Sequence, residues 1–473
     1  MKRIFNKIVI CSAAAIVALA GCSKNFITKT PTYAVPTAEA LTDAASLQTA
    51  LNGAYSELRA LGIYGRDLPV LGDLMADNTY LEVKNSGRYL PQYQYSVTSN
   101  DATALEIWQD CYAAILRVNQ ILDSKLTGTD VDQVKAQAYA VRGLAYFRLV
   151  SYFGKPYTDD PTALGVPLVL HFNTSLLPTR NTVKEVYTQI LSDYNAALPI
   201  APPYSNSVTL SKYAIEGLLA KAYLYMGDNT NAEKWSTDVI NNGPFKLVTP
   251  SAYLSFWANS AVQSTGTEVM FEVDADVLNN NQFDDLAGIY INGYQDIYCS
   301  SQLYNLYSAT DVRRGLILDS VNKSGVPAFM VNKFPNATNP DRDNLKVIRL
   351  AEVYLIAAEA ALPGDEATAK QYLNALLAQR DPAAAPYAST GSQLLTDIIT
   401  ERRKELAFEG DRFFDLNRLK LPINRVANAG SIPAGTGNVN LTIPYPDNRR
   451  VAPIPQNEIN NNANLKSQQN PGY

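Results

Sequence analysis

The chain carries one histidine in 473 residues, and that scarcity removes several chemistries together. One histidine cannot build a multi-histidine metal centre, and no cysteine pair has zinc-binding spacing. A serine–histidine–acid triad would have to use His171, in VPLVLHFNTS, and no G-x-S-x-G stretch accompanies it. His171 reads instead as a loop or strand-end residue. Phosphate-cradling glycine loops are absent as well. Carboxylate pairs for glycoside hydrolysis meet only in a folded chain, and nothing in the sequence points to them. The sequence thus reads as a protein that is not an enzyme and needs no cofactor or metal. The formal net charge is only −5, which argues against nucleic acid as the main partner. Cysteine is scarce too, at four residues. Cys11 and Cys22 lie near the N-terminus, and Cys111 and Cys299 give no disulfide framework. They form either one bridge or two buried thiols.

Long apolar runs are also few. Residues 1–7, MKRIFNK, carry Lys2, Arg3 and Lys7, and IVICSAAAIVALAG follows. That run is too short and too rich in small residues to span a bilayer, and fits a secretory leader. It ends in Leu19-Ala20-Gly21-Cys22, the pattern of a lipoprotein signal peptidase site, which predicts a leader over 1–21 and a diacylated Cys22. Acyl chains contribute about 0.8 kcal/mol per buried CH₂, so such a residue would hold the chain on a membrane. No later segment reads as a transmembrane helix.

The remaining sequence is long enough for a large core, with 47% hydrophobic residues, and is conspicuous for tyrosine: 29 Tyr against 14 Phe and 3 Trp. Tyrosine presents an apolar face with a polar tip, which suits wet binding surfaces. Helical periodicity dominates 136–154, AQAYAVRGLAYFRLVSYFG, with a buried stripe through Ala140, Leu144 and Phe147. In 182–199 Thr182 and Glu185 form a capping box, and Pro199 marks the stop. Residues 213–243 predict a helix to Met226, a Gly227-Asp228 turn and a second helix over 230–241. Residues 350–380 repeat the plan: Gly227-Asp228-x-x-x-Ala232 matches Gly364-Asp365-x-x-x-Ala369. This internal repeat of helix pairs resembles tetratricopeptide repeats, in which small residues allow close approach. Residues 106–122 supply another helix of that kind. Residues 60–100 and 244–345 are rich in Gly, Asn, Asp and Tyr, and 421–473 is rich in Pro and Asn with only a helical turn near 456–460. Long irregular stretches of this kind usually carry function on a rigid scaffold.

Four stretches together resemble a known family. They are Leu19-Ala20-Gly21-Cys22 with Pro31 nearby; Trp108-x-x-x-Tyr112-x-x-Ile115-x-x-x-Asn119 followed by AVRGLAYFRLVSYFG; IRLAEVYLIAAEA with ERRKELAFEGDRFFDLNR; and the ending PIPQNEINNNANLKSQQNPGY. Nearly the whole chain resembles the SusD/RagB-like outer-membrane lipoproteins of Bacteroidetes. The resemblance implies a mostly α fold, a tetratricopeptide-like helix-pair scaffold with a loop-rich ligand face. It implies one SusD-like domain over 22–473, with scaffold at about 37–243 and 346–420, loop-rich insertions at about 60–100 and 244–345, and the C-terminal segment 421–473. It further implies an outer-membrane lipoprotein that binds an oligosaccharide or polysaccharide without cleaving it and serves as the lid of a SusC-like TonB-dependent transporter. A peptide-binding role, or a structural role beside the transporter, are the alternatives. Residues Ser23 to Phe26 lack the acidic residues common after the cysteine of surface-displayed members, so anchoring is better supported than outward display.

Within that frame ERRKELAFEGDRFFDLNRLK (401–420) reads as scaffold rather than catalytic cluster. Glu401 and Glu405 lie one helical turn apart, Gly410 separates two helical pieces, and arginines among aromatics fit partly buried ion pairs. Ligand contacts in the family tend to come from regions whose counterparts are 73–95 and 283–300. Their composition makes Tyr80, Arg88, Tyr89, Tyr93, Tyr290, Asn292, Tyr294 and Tyr298 the candidate ligand-binding residues. Asp77 and Asn78 read as turn residues.

Overall fold

Helix starts follow their caps. Asp43 and Ser46 form a reciprocal capping box before Ala44–Leu58 (α1), and Thr182 and Glu185 do the same before Val183–Ala197 (α6). The structure, a computed structural model, describes residues 41–435 and 439–473; the leader and Cys22 lie outside them. In chain order the helices between those two are Asp67–Leu74 (α2), Leu90–Gln94 (α3), Ala102–Leu122 (α4) and Thr129–Phe153 (α5). Then come Lys212–Met226 (α7), Asn229–Asn242 (α8), Tyr253–Ala258 (α9), Leu286–Tyr290 (α10), Ser301–Tyr304 (α11), Leu350–Ala361 (α12), Glu366–Arg380 (α13), Gly391–Glu405 (α14), Arg412–Arg418 (α15) and Gln456–Asn461 (α16). About half of the chain is helical. No helix among the described residues is long and apolar enough to cross a membrane.

The helices pair along the sequence: α4 on α5, α5 on α6, α7 on α8 and α12 on α13. Helix α5 is buried on nearly every face, as its run of Ala, Val, Leu and aromatics requires. The two repeated pairs meet, α8 lying on α12, through a small-residue cluster of Ala220, Leu224, Ala232, Ile356 and Ala360. Asp228 and Asp365 cap α8 and α13 alike, with their carboxylates accepting backbone N–H bonds. The glycines differ. Gly227 is a left-handed cap at φ 75°, whereas α12 runs on past Ala361 into a turn that needs no positive φ at Gly364. Gly243 closes α8 in an extended rather than left-handed conformation.

The few strands are Thr79–Leu81 (β1), Val269–Val273 (β2), Ile297–Cys299 (β3), Ile317–Val321 (β4), Pro327–Val331 (β5), Leu345–Arg349 (β6), Ile423–Asn424 (β7) and Thr442–Ile443 (β8). An antiparallel sheet runs β1-β3-β5-β4, and β2-β6 and β7-β8 form separate pairs. Cys111 and Cys299 are both buried and unpaired, which resolves the two readings in favour of free thiols.

The segment 401–420 is the electrostatic keystone of the scaffold. Glu405 accepts from Arg313 (3.1 Å), Arg349 (2.5 Å) and Arg380 (3.0 Å), brought from the loop before β4, from β6 and from α13. Glu401 takes Arg313 at 2.9 Å, Arg402 bridges Glu352 and Asp415, and Arg418 binds Glu359 through two bonds. Asp411 takes Lys221 at 2.8 Å. Burial pushes the Glu405 carboxyl up, but the three guanidiniums outweigh it and hold it well below the usual carboxylate range. Gly410, at φ 87°, breaks the helix between α14 and α15, and its backbone lies so close to Gly72 that a Cβ on Gly72 would fall 1.9 Å from the Gly410 carbonyl oxygen. Asp77 binds Arg412 (2.8 Å) and Asn78 binds Arg403 (2.8 Å), so this pair is scaffold too.

Candidate functional site

Strand pairing brings the two tyrosine-rich segments together. In β1–β3, Thr79 faces Cys299, Tyr80 faces Tyr298 and Leu81 faces Ile297. The register carries the loop after β1 and the loop before β3 to one side of the sheet. There the buried Asp296 clamps the first loop, accepting from Ser86 N (3.1 Å) and Lys323 Nζ (2.7 Å).

At the surface of this junction Tyr294 and Arg88 form the centre. The Arg88 guanidinium lies 3.8 Å from the Tyr294 ring centroid, and its Nη2 donates to the Tyr294 hydroxyl at 3.1 Å. That hydroxyl donates to Asp284 Oδ1 at 3.0 Å, and Arg66 Nη1 reaches the same carboxylate oxygen at 3.0 Å. Phe283 packs edge-on against Tyr294 at 4.9 Å between centroids, yet is 52% exposed. Asn292, after α10, is exposed, and Leu278, 90% exposed, lies before α10 in the segment that carries Phe283. Three non-glycine residues in left-handed conformation, Tyr89 (φ 61°), Gln282 (φ 49°) and Gln295 (φ 46°), flank the cluster. Each such residue costs about 1 kcal/mol, a cost that persists where surrounding structure fixes it, often at ligand sites.

Beneath the surface Arg66 Nε donates to the Tyr89 hydroxyl at 2.7 Å and to Asp67 at 2.9 Å, and Tyr89 in turn donates to Asp67. Burial, then the Asp67 charge, push the Tyr89 phenol well above its ordinary range. Glu106 lies beside Asp67, and its carboxyl is pushed up to about 7, first by burial and then by that charge. The arrangement offers an exposed aromatic ring, a stacked guanidinium and a carboxylate at one surface, with the exposed Asn292 amide two residues before Tyr294.

Of the eight sequence candidates, Arg88 and Tyr294 meet at this surface, and Asn292 is exposed two residues before Tyr294. The other five do not reach it and are corrected to interior residues. Tyr80 and Tyr298 stack on one another at 5.9 Å inside the sheet. Tyr93 lies buried under the Arg425 guanidinium, Tyr89 forms the buried layer described above, and Tyr290, fully enclosed, packs between Phe334 and Phe408. Their rings are buried against one another or against neighbouring side chains, so no sugar face can reach them. Phe283, Asp284 and Arg66 were missed. The signal for Phe283 was its setting: a lone aromatic in the polar run NNNQFDD. His171 stands exposed on a different loop and bonds Asp123 at 2.7 Å.

Comparison with known proteins agrees with this architecture. The sequence profile of the SusD family matches residues 320–473, and a second profile, described as starch-binding associating with outer membrane, matches 36–224. A solved SusD superfamily protein from Bacteroides thetaiotaomicron is 30% identical and superposes with a TM-score of 0.82, over 91% of this chain and 100% of its own. The chain belongs to the SusD family. A SusD-like protein P2 from Formosa agariphila is 29% identical over 91% of this chain and 92% of its own length. A SusD-like carbohydrate binding protein from Bacteroides vulgatus, 20% identical, shares the fold of this SusD family member with a TM-score of 0.77 over 90% of this chain and 98% of its own.

Proposed function

We propose that the protein is a nutrient-binding outer-membrane lipoprotein that captures an oligosaccharide or polysaccharide on the face formed by Phe283, Arg88, Tyr294, Asp284 and Asn292. The observation that carries this reading is the exposed Phe283 ring beside a stacked Arg88–Tyr294 pair. Sugars bind where an aromatic face meets their C–H surface and fixed polar groups meet their hydroxyls. Arg88 already covers a face of Tyr294, so Phe283 is the stacking platform, while Arg88, Asp284 and Asn292 supply donors and acceptors. The family profile described as starch-binding supports a glycan. Binding without cleavage is the role this supports.

The delivery of ligand to a SusC-like TonB-dependent transporter, anchoring through an acylated Cys22 and an outward position on the membrane rest on the sequence resemblance and the Leu19-Ala20-Gly21-Cys22 site. The outer-membrane wording of the matching profile supports the location. One domain over 22–473 is proposed with them. Native gels cast with plant, fungal and host polysaccharides test the reading, with calorimetry of a tryptic peptide mixture alongside. Retardation by one polysaccharide is the expected result. Heat from the peptides without retardation would replace the glycan with a peptide ligand, and silence in both would refute intrinsic ligand capture.

A further inference from the structure

Almost every buried arginine of this protein has a carboxylate partner. Arg66, Arg142, Arg148, Arg313, Arg349, Arg380, Arg402, Arg403 and Arg418 are all ion-paired. Among the described residues three buried arginines lack one: Arg425, which donates to the Leu74, Met75, Ala76 and Tyr93 carbonyls, and Arg180 (5% exposed) and Arg450 (2% exposed), which line one cavity of about 280 Å³, on residues that the Phe283 face does not share. Arg180 spends its donors on neutral acceptors: the carbonyls of Gly165 (2.6 Å), Leu164 (2.7 Å), Phe153 (3.2 Å) and Gln468 (2.5 Å), and Asn470 Oδ1 (2.9 Å). Arg450 donates to Asn417 Oδ1 (2.7 Å) and to the Leu421 and Pro444 carbonyls, and its Nη2 has no partner. Lys155, half-buried at the same cavity, makes no ion pair either.

Two carboxylates also line the space, and both are engaged by cations outside its lining. Asp447 is bound by Arg449 at 2.6 Å, and Asp159 faces Lys420 at 3.8 Å and the Tyr445 hydroxyl. Three unpaired cations therefore face one space. Burying a charge without a counter-charge is costly, and neutral carbonyls offset the cost only in part. Burial accordingly pushes the Arg180 guanidinium down to about 10, which leaves it charged at neutral pH.

We propose that this cavity is a second binding site, for a small ligand bearing one oxyanion, with the anion set against Lys155, Arg180 and Arg450. The Tyr445 ring and Leu164, together with three prolines, give the ligand body an apolar wall. The volume lies just under the usual range of about 300–1,000 Å³ for small-molecule sites, and fits a ligand of one residue. The oxyanion can be the carboxylate of an acidic sugar, the C-terminus of a peptide or an inorganic anion. The site lies apart from the Phe283 face and does not depend on it.

The test is calorimetry at constant ionic strength on the whole chain carrying Phe283→Ala, with sodium galacturonate, N-acetylalanine, sodium sulfate and neutral galactose as probes. At least one anion is expected to bind and galactose is not. The anion that binds identifies the source: acidic sugar, peptide terminus or inorganic ion. The Lys155 ammonium makes no hydrogen bond or ion pair among the described residues, so Lys155→Ala is expected to weaken that binding about tenfold at an unchanged melting temperature, and Asn448→Glu, which adds a negative charge at the rim, to abolish it. Failure of all three anions, equal binding of galactose and galacturonate, or anion binding that survives both substitutions would overturn the proposal.

Discussion

Tyr290 and Phe283 sit one short helix apart and have opposite surroundings. Phe283 is half open to solvent, whereas Tyr290 is fully enclosed and its hydroxyl meets no hydrogen-bond partner. A buried hydroxyl without a partner costs about 1–3 kcal/mol of desolvation. Tyr290→Phe is therefore expected to leave stability unchanged or raise it by about 1 kcal/mol, while Tyr290→Ala loses about 3–5 kcal/mol through the cavity it opens. Urea denaturation of both variants checks the pair, and equal losses in the two would contradict the interior assignment. This contrast also shows where sequence reading stopped. Composition pointed to two segments that the structure brings side by side, with Arg88 and Tyr294 stacked at their junction, because polar, tyrosine-rich loops are legible without coordinates. It could not separate exposed tyrosines from buried ones. Tyr80 and Tyr298 are hidden by facing each other across β1 and β3, a register that no local pattern encodes.

At the scale of elements, helix pairs were readable because their determinants are local. The Thr182–Glu185 box and the Asp228 and Asp365 caps act within three residues of their own positions. Asp365→Ala is expected to lower the urea midpoint, because the carboxylate accepts from both Ala367 N and Thr368 N. The charge cluster in 401–420 was readable as scaffold, but its partners were not. Arg313, Arg349 and Arg380 come from three separate elements. Removing the Glu405 charge would strand buried guanidiniums, so Glu405→Gln is expected to cost about 3–5 kcal/mol or to prevent folding. A Glu405→Gln protein with unchanged denaturation would mean that the network is solvated after all.

For the whole molecule the same cluster sets the response to pH. Burial raises the Asp411 carboxyl, but Lys221, Arg148 and Arg402 outweigh it, and its value falls from 3.8 to about 2. A carboxylate depressed in the folded state contributes stability that is present above the ordinary value and lost as pH falls through the folded one. Asp411 alone accounts for roughly 2 kcal/mol lost between about pH 4 and pH 2. Asp73 works in the opposite sense. Burial pushes it up to about 7 against hydrogen bonds from Asn78 and Gly410, so its contribution is present at acid pH and fades as pH rises through 7. Denaturation midpoints are expected to be highest between these limits and to fall steeply below pH 4; a flat profile down to pH 2 would contradict the network.

In the proposed reading the scaffold presents the Phe283 face to the ligand. The deciding measurement is affinity gel electrophoresis of the parent protein, Phe283→Ala and Tyr294→Ala in the retarding polysaccharide, with melting temperatures taken in parallel. Phe283→Ala is expected to lose retardation by tenfold or more in apparent affinity at an unchanged melting temperature, and Tyr294→Ala to weaken it by releasing Arg88. Undiminished retardation of both variants would place the ligand elsewhere on the molecule and contradict the assignment of this face.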